Sequence, residues 1–176
     1  IAIIGAGNLG VSFAEGLVAS KKYSPEDFIL TRRRLSKLDK LKSRGFEITS
    51  DNAEAVQKAS IIVLCVLPQK IDDVLMDVSK VINSNQLVIS LVTGIKISQI
   101  QEKLGTEIPV VRAMPNTAIA IRESMTCITS GEQSVDYQIK VKELFENVGE
   151  TVIINEEQMT SATALCACGI AFFLRA

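Results

Sequence analysis

A glycine-rich segment near the start of the chain has the spacing of a phosphate-binding turn. A short apolar run at residues 1–4 leads into the pattern G-x-G-x-x-G at Gly5, Gly7 and Gly10, and an apolar-periodic helix follows. In this context the first glycine permits a tight turn, the second admits a pyrophosphate and the third lets the helix pack close to the strand. The free N–H groups at the helix start would hold the diphosphate. The alternative is a glycine-rich turn without a ligand.

A basic run at the end of the second predicted strand bears on the choice between NAD and NADP. An acidic residue there would bind the ribose 2′-hydroxyl, but the chain has Thr31, Arg32, Arg33 and Arg34. A hydroxyl and guanidinium groups suit a 2′-phosphate through charge-assisted hydrogen bonds. The alternative is a solvated basic helix start, although positive charges at a helix N-terminus oppose the helix dipole. We therefore predict NADP(H) in preference to NAD(H).

Apolar strand-like segments alternate with helical segments along the chain. This alternation predicts an α/β fold, namely a Rossmann-type, doubly wound, mostly parallel sheet followed by the start of a C-terminal helix. Strands are predicted at residues 1–4, 28–30, 46–48, 61–66, 87–91 and 110–111, and segments 125–128 and 152–154 would extend the sheet. Helices are predicted at residues 9–20, 35–41, 52–58, 71–81, 97–104 and 135–147, and from about residue 156 onward.

The composition narrows the classes of partner. With 19 basic and 20 acidic residues the formal net charge is −1, so neither nucleic acid nor a membrane surface is expected as a partner. The apolar stretch 162–174 is too short to span a bilayer. The chain has no histidine, and its four cysteines lack metal-ligand spacing, so no metal site is predicted.

The cysteines indicate a reducing compartment. Cys65 lies in an apolar strand and is predicted to be a buried thiol. We interpret Cys166 and Cys168 as small core residues, with a redox-active pair as the alternative. The expected location is therefore cytoplasmic, and a mitochondrial matrix would give the same pattern.

Five segments, in their order and spacing, carry a family resemblance. They are G-A-G-N-L-G at residues 5–10, V-L-P-Q at 66–69, S-L-V-T-G-I at 90–95, V-R-A-M-P-N-T at 111–117 and L-F-E-N-V-G-E at 144–150. Together they resemble the pyrroline-5-carboxylate reductase family, which makes proline by NAD(P)H-dependent reduction of a cyclic imine. The resemblance extends from residue 1 to about residue 174, and the M-P-N-T segment is its most specific part.

The resemblance implies a set of site residues, which lie after predicted strand ends, where open parallel sheets bind ligands. The implied cofactor-binding residues are Gly5, Ala6, Gly7, Asn8, Leu9 and Gly10 at the diphosphate, Thr31, Arg32, Arg33 and Asn52 at the adenosine ribose and its phosphate, Cys65, Val66, Leu67, Pro68, Val92, Thr93 and Gly94 along the cofactor, and Met114, Pro115 and Asn116 at the nicotinamide. Asn116 and Thr117 are candidates for the substrate pocket, and no catalytic acid is assigned. From the residues alone, Asn116 is a loop asparagine that satisfies its own backbone.

The resemblance also implies a domain division. Residues 1–155 correspond to an NADP-binding domain, and residues 156–176 to the start of a long helix leading to a helical dimerisation domain that this sequence does not contain. We therefore expect a homo-oligomer formed through that domain. Two departures stand out: Leu67 replaces a usual lysine, and the segment 166–172 replaces S-G-S-G-P-A-Y.

The implied reaction is NADPH-dependent reduction of 1-pyrroline-5-carboxylate, a small cyclic imine carboxylate, to L-proline. A protonated imine needs only a hydride, so the absence of histidine, the commonest general acid or base, fits an imine better than an alcohol. The alternatives are an NADP-dependent oxidoreductase with another substrate and a non-catalytic NADPH-binding relative.

Overall fold

The computed structural model describes residues 1–168, which form an eight-stranded sheet. Its strands are β1 (Ala2–Ile4), β2 (Ile29–Thr31), β3 (Glu47–Thr49), β4 (Ile61–Leu64), β5 (Leu87–Ser90), β6 (Val110–Met114), β7 (Ser124–Ser130) and β8 (Gly149–Ile153). Their order in the sheet is β3-β2-β1-β4-β5-β6-β7-β8. All neighbours are parallel except β6 and β7, which are antiparallel. The predicted Rossmann-type, mostly parallel sheet is confirmed.

Helices cover both faces of this sheet. They are α1 (Asn8–Ala19), α2 (Asp39–Lys42), α3 (Asn52–Gln57), α4 (Ile71–Val78), α5 (Ile97–Leu104), α6 (Val135–Phe145) and α7 (Met159–Ala162). Side chains of α1, α2 and α6 pack in one core cluster, and those of α3, α4 and α5 pack in another. The two clusters are the two faces of a doubly wound sheet.

Strand β1 shows how the sheet separates the two cores. Successive side chains of a strand point to opposite faces. Ile3 accordingly lies in the cluster with Phe13 and Phe145, whose rings stack at 4.6 Å between centroids. Ile4 lies in the other cluster with Leu75. The central strands β4 and β5 are buried on both faces, as their continuous apolar sequences predict.

The structure corrects the predicted course of the chain after residue 31. The predicted helix 35–41 is a 3₁₀ turn at Leu35–Lys37 followed by the four-residue helix α2. The break lies at Leu38, which is fully buried together with most of Leu41. The three arginines therefore precede a short turn rather than a full helix, and the argument from an opposing helix dipole does not apply to them.

The structure also corrects the predicted end of strand β6, which continues to residue 114 instead of ending at residue 111. Arg112 interrupts the apolar pattern on which the shorter strand was predicted. The structure nevertheless keeps Arg112 only 5% exposed, paired with the carboxylate of Glu156. An ion pair between buried Arg112 and partly exposed Glu156 thus accompanies the strand through a charged position.

The C-terminal helical segment begins where it was predicted, although it is not a regular α-helix. A 3₁₀ turn at Glu156–Gln158 leads into α7, and a π-helical turn follows at Thr163–Cys168. The Thr163 hydroxyl donates to the carbonyl oxygen of Met159 at 2.7 Å. Residues 169–176, including part of the altered 166–172 segment, lie outside the described residues.

Candidate dinucleotide-binding site

The predicted site residues lie along one edge of the sheet. The six strands from β3 to β6 in the sheet order are parallel, so their carboxyl ends form a row. The glycine-rich turn follows β1, the arginine run follows β2, and the segments 65–68, 91–94 and 115–117 follow β4, β5 and β6. The strand order reverses direction between β1 and β4, which is where open parallel sheets bind ligands.

A cavity of about 500 Å³ opens beside the ends of β2, β1 and β4. The predicted cofactor-binding residues that line it are Gly5, Gly7, Thr31, Arg32, Arg33, Asn52, Cys65, Val66 and Leu67. Its volume falls within the range of small-molecule and cofactor sites. Nine of the predicted cofactor-binding residues therefore line one formed cavity.

The three motif glycines have different surroundings. Gly5 has φ +87°, and a Cβ there would lie 2.4 Å from Val66 Cγ1. At Gly10 a Cβ would lie 2.9 Å from Ile3 Cγ2, so this glycine allows close packing of α1 on β1. At Gly7 a Cβ would have only Gly5 O within 4 Å, at 3.9 Å. Gly5 and Gly10 are needed by the fold itself, whereas the space beside Gly7 is open.

The N-terminus of α1 is suited to an anion. The helix has no side-chain N-cap and no acidic residue in its first turn. Among residues 1–168, no acceptor is found for the backbone N–H groups of Asn8, Leu9 and Gly10. Free N–H groups and the positive end of the helix dipole attract phosphate groups.

Thr31 connects three segments at the floor of the cavity. Its hydroxyl accepts from the Gly5 backbone N at 3.1 Å and donates to Asn52 Oδ1 at 2.8 Å. Its carbonyl oxygen accepts from the Ala6 backbone N at 2.7 Å. The residue is 1% exposed. The polar groups of Thr31 are thus used within the protein.

The two predicted phosphate-binding arginines differ in how they are held. Arg32 donates from Nη1 to the carbonyl oxygen of Ala6 at 3.2 Å, which fixes its guanidinium against the glycine-rich turn. Arg33 is exposed and makes no hydrogen bond with residues 1–168. Both line the cavity, whereas Arg34 does not. Arg32 also borders a second cavity, with Lys37, Lys40 and Arg44 on its wall.

Sequence reasoning missed the opposite wall of the cavity. That wall is formed by Lys70, Asp73, Val74 and Asp77, and Ser50 is a further lining residue that was missed. Ser50 follows β3, so the rule that ligands bind at strand ends was sufficient to find it. Lys70, Asp73 and Asp77 lie at helical spacing beside the buried face of α4, and that spacing was the available signal. The cavity is basic on its β2 side and acidic on its α4 side.

The residues predicted to contact the nicotinamide lie outside this cavity. Asn116 is 7% exposed, accepts from the Ala118 backbone N through Oδ1 at 3.0 Å and donates from its own backbone N to Ser124 Oγ at 3.1 Å. It is the N-cap of the turn at Thr117–Ile121. This agrees with the interpretation of Asn116 as a loop asparagine whose side chain bonds to the neighbouring backbone. Thr117 is exposed.

The remaining predicted positions fall into buried and exposed groups. Ala6, Val92, Met114 and Pro115 are buried, whereas Thr93 and Gly94 are exposed after β5. Pro68 begins a 3₁₀ turn before α4. The structure brings these positions to the carboxyl edge of the sheet, and none of them lines the cavity beside β2, β1 and β4.

A second polar cluster, which the sequence did not reveal, joins the C-terminal segment to the sheet. Glu156 Oε1 accepts from Arg112 Nη1 at 2.9 Å and from the Ile97 backbone N at 2.8 Å. Ile97 is the first residue of α5. One carboxylate oxygen thereby holds β6, α5 and the turn before α7 together. The partners are 44 and 59 residues from Glu156, so no local pattern indicates them.

The thiols of Cys65, after β4, and Cys127, in β7, are both protonated at neutral pH. Burial raises the pKa of Cys65 to about 12. Burial also raises the pKa of Cys127 to about 11, with a further contribution from the neighbouring Cys166. Cys166 packs beside Met114, Cys127 and Met159, as the interpretation of small core residues expects. Neither thiol has the lowered pKa of a reactive cysteine.

Within residues 1–168, His, Cys, Asp and Glu side chains do not come together in groups of three or more that could hold a metal ion. The helices of the same residues include none with the length and apolar character needed to cross a membrane.

Known proteins share this fold and these motifs. The family model described as NADP oxidoreductase coenzyme F420-dependent matches residues 1–94. A protein of Dictyostelium discoideum named pyrroline-5-carboxylate reductase 2 is 46% identical over 99% of the chain. The resemblance seen in the motifs is confirmed.

Solved structures agree with this similarity. A pyrroline-5-carboxylate reductase from Coxiella burnetii is 31% identical and superposes with a TM-score of 0.91 over 98% of the chain. The Plasmodium falciparum pyrroline carboxylate reductase, solved with NADP bound, is 26% identical and has a TM-score of 0.88 over 98% of the chain. The chain spans 64% of the Dictyostelium protein and 65% and 64% of these two solved chains.

Proposed function

We infer the function from one premise: the chain belongs to the family described as NADP oxidoreductase coenzyme F420-dependent, whose model matches residues 1–94. We propose that it is the dinucleotide-binding part of an NAD(P)H-dependent oxidoreductase. The observation that supports this most strongly is the cavity at the reversal of strand order, lined by the glycine-rich turn and by Arg32 and Arg33. It is next to a helix N-terminus whose N–H groups are free for a phosphate.

The reaction that fits best is the reduction of 1-pyrroline-5-carboxylate to L-proline. The relatives named for this activity support it, as does the M-P-N-T segment. The bound cofactor supplies the hydride when present. The iminium carbon gains that hydride, and the C=N double bond becomes a single bond to a secondary amine, so no additional proton is needed if the imine arrives protonated. The absence of histidine from the chain is compatible with this chemistry.

Each wall of the cavity has a proposed partner on the cofactor. The backbone N–H groups of Asn8, Leu9 and Gly10 would bind the diphosphate, and the open space beside Gly7 would admit it. The side-chain amide of Asn52 would donate to the adenosine ribose. Arg33, with Arg32, would bind a 2′-phosphate, which supports a preference for NADP(H) over NAD(H). Thr31, Cys65, Val66, Leu67 and Pro68 would line the adenosine half.

The nicotinamide half would lie farther along the row of strand ends. There Val92, Thr93 and Gly94 after β5 would border the cofactor, and Met114, Pro115, Asn116 and Thr117 after β6 would shape the pocket. The cap role of Asn116 fixes its Oδ1 toward the backbone, which leaves its Nδ2 group as the donor for nicotinamide or substrate. We assign no catalytic acid.

The domain division at residues 155 and 156 and a homo-oligomer formed through a helical domain remain part of the proposal. So does a location in the cytoplasm or the mitochondrial matrix. The support for the division is structural, because the 3₁₀ turn at Glu156–Gln158 follows the last strand of the sheet directly.

The test is an assay of the protein expressed from its complete gene, with 1-pyrroline-5-carboxylate and either NADPH or NADH. We expect NADPH oxidation with formation of L-proline and slower turnover with NADH. Tight NADPH binding without turnover would contradict the proposed substrate and favour another NADP-dependent reaction or a non-catalytic NADPH-binding role.

The altered segment at residues 166–172 favours that second candidate. Variants that restore serine and glycine at Cys166, Ala167 and Cys168 separate the possibilities. A large gain in proline formation would identify a weakened reductase site, whereas no gain in an inactive protein would indicate a different role.

A further inference from the structure

The hydroxyl of Thr31 lies between the glycine-rich turn and the start of α3. It is the acceptor for the Gly5 N–H at 3.1 Å and the donor to Asn52 Oδ1 at 2.8 Å. Thr31 is 1% exposed, so a ligand reaches little of it. A threonine hydroxyl has one proton to donate and can also accept. Both capacities are used by neighbouring protein groups.

This arrangement determines which end of the Asn52 amide is available to a ligand. The hydroxyl proton of Thr31 needs an acceptor, and among residues 1–168 Asn52 Oδ1 is the acceptor it has. The carbonyl end of the amide is therefore directed to Thr31. The Nδ2 group makes no hydrogen bond with residues 1–168, and Asn52 lines the cavity. Asn52 thus offers the cavity a hydrogen-bond donor.

We propose that Thr31 is a positioning residue, which holds the Asn52 side chain so that its Nδ2 donates to the ribose of a bound dinucleotide. The inference rests on the proposed dinucleotide binding and adds a role that contact with the cofactor does not explain. Without the hydroxyl, the Asn52 amide loses the hydrogen bond that fixes its orientation, and its Nδ2 is no longer held toward the ribose. Such a change weakens NADPH and NADH binding alike, because both cofactors carry the ribose 3′-hydroxyl.

The chain provides a matched control on the adjacent strand. Thr49 is the register partner of Thr31, and its hydroxyl also bonds to a side chain of α3, donating to Glu54 Oε2 at 2.7 Å. Thr49 does not line the cavity. Thr49→Val therefore removes a hydroxyl that bonds to α3 from a residue outside the cavity. The same hydroxyl also accepts from the Asp51 backbone N at 3.1 Å, next to Asn52, so this variant controls for a general loosening of the start of α3.

The experiment measures NADPH and NADH dissociation constants for Thr31→Val, Thr31→Ser and Thr49→Val, with thermal unfolding of the ligand-free proteins in parallel. We expect Thr31→Val to weaken both cofactors about tenfold, the effect of one lost hydrogen bond. Thr31→Ser keeps the hydroxyl and should remain within about threefold of wild type. Thr49→Val should leave both affinities unchanged. Loss of affinity in Thr49→Val equal to that in Thr31→Val would overturn the inference.

A double-mutant cycle with Asn52→Ala separates positioning from a general structural effect. If Thr31 acts through Asn52, Thr31→Val should weaken binding by less than about twofold in the Asn52→Ala background. A tenfold loss in both backgrounds would show that Thr31 acts through Gly5 or on the cofactor directly, and would refute the proposal. Failure of the wild-type protein to bind NADPH would refute the proposed function and this inference together.

Discussion

The two halves of the sheet use their polar groups in opposite ways. At the ends of β1, β2 and β4, Arg33 and the α1 N-terminus face an open cavity and have no partners among residues 1–168. In β6 and just after it, Arg112 and Asn116 are buried and bonded to the protein. Unsatisfied donors beside a cavity are available to a ligand, whereas satisfied buried groups stabilise the fold. The donors of the first half are therefore open to a ligand, whereas Arg112 and the Asn116 Oδ1 of the second half hold the fold beside the proposed nicotinamide pocket.

The glycine-rich turn gives the largest expected effect within the first half. Gly5→Ala places a Cβ 2.4 Å from Val66 Cγ1 at a residue with φ +87°. Strain and overpacking together should lower the free energy of unfolding by about 3 kcal/mol. Gly7→Ala has room for its Cβ and should change stability by less than about 0.5 kcal/mol. Chemical denaturation of both ligand-free variants measures this difference.

The Gly7→Ala variant also tests whether the open space beside Gly7 is a phosphate site. Gly7→Ala should weaken NADPH and NADH equally, by at least about tenfold, because its methyl group occupies the space of the diphosphate. Unchanged affinity for both cofactors would show that the motif is only a turn.

This contrast explains how much of the molecule the sequence could predict. The glycine motif and the strand ends are local patterns. From them the sheet, its carboxyl edge and the cavity-lining residues after β2, such as Arg32 and Arg33, could be predicted. The pair of Arg112 and Glu156 depends on groups 44 residues apart, and β6 was predicted too short because its partner was not apparent. The break at Leu38 was missed for a related reason: burial of that side chain, rather than helical periodicity, determines the local backbone.

Arg32 and Arg33 give the second largest expected effect, which is on NADPH affinity rather than on protein stability. Replacing Arg32 and Arg33 together by alanine should weaken NADPH binding about 30- to 100-fold, close to 2–3 kcal/mol, because charged hydrogen bonds to a 2′-phosphate are lost. NADH lacks that phosphate, so its affinity should change by less than about threefold. Titration calorimetry with each cofactor measures both. Arg34→Ala is the control, since Arg34 follows in sequence but does not line the cavity. Equal losses for NADPH and NADH would argue against the 2′-phosphate assignment.

The second half should respond in the reverse manner. Glu156→Gln removes the charge that Arg112 is buried against, and we expect a loss of about 2 kcal/mol in the free energy of unfolding. NADPH affinity should stay within about twofold of wild type, because Glu156 does not line the cavity. Denaturation with parallel cofactor titration measures the two effects.

The exposed pair between Lys142 and Glu146 in and just after α6 provides the control for this prediction. Glu146→Gln should cost only about 0.3–0.5 kcal/mol, as is usual for solvated pairs on a helix. A large loss of NADPH affinity in Glu156→Gln would contradict the structural role of the pair between Arg112 and Glu156.

The smallest effect concerns pH and the thiol next to the cavity. The pKa of Cys65 is raised by burial from 9.0 to about 12, so the folded state binds its proton more tightly than the unfolded state. Stability from this group is therefore complete below pH 9 and falls as the pH rises from about 9 toward 12. At pH 10 the loss should be about 1 kcal/mol, measured as the difference in unfolding free energy between pH 8 and pH 10.

Cys65→Ala isolates this contribution from the other groups that titrate in alkali, including Cys127 in the second half. The alkaline loss of stability should be smaller in Cys65→Ala than in wild type by about 1 kcal/mol. Because Cys65 lines the cavity, saturating NADPH should exclude water from the thiol further and leave its pKa high, so the bound protein should lose no more stability than the free protein. An alkaline loss as large in Cys65→Ala as in wild type would show that the thiol is solvated, and that the base of the cavity is more open than the structure of the first half implies.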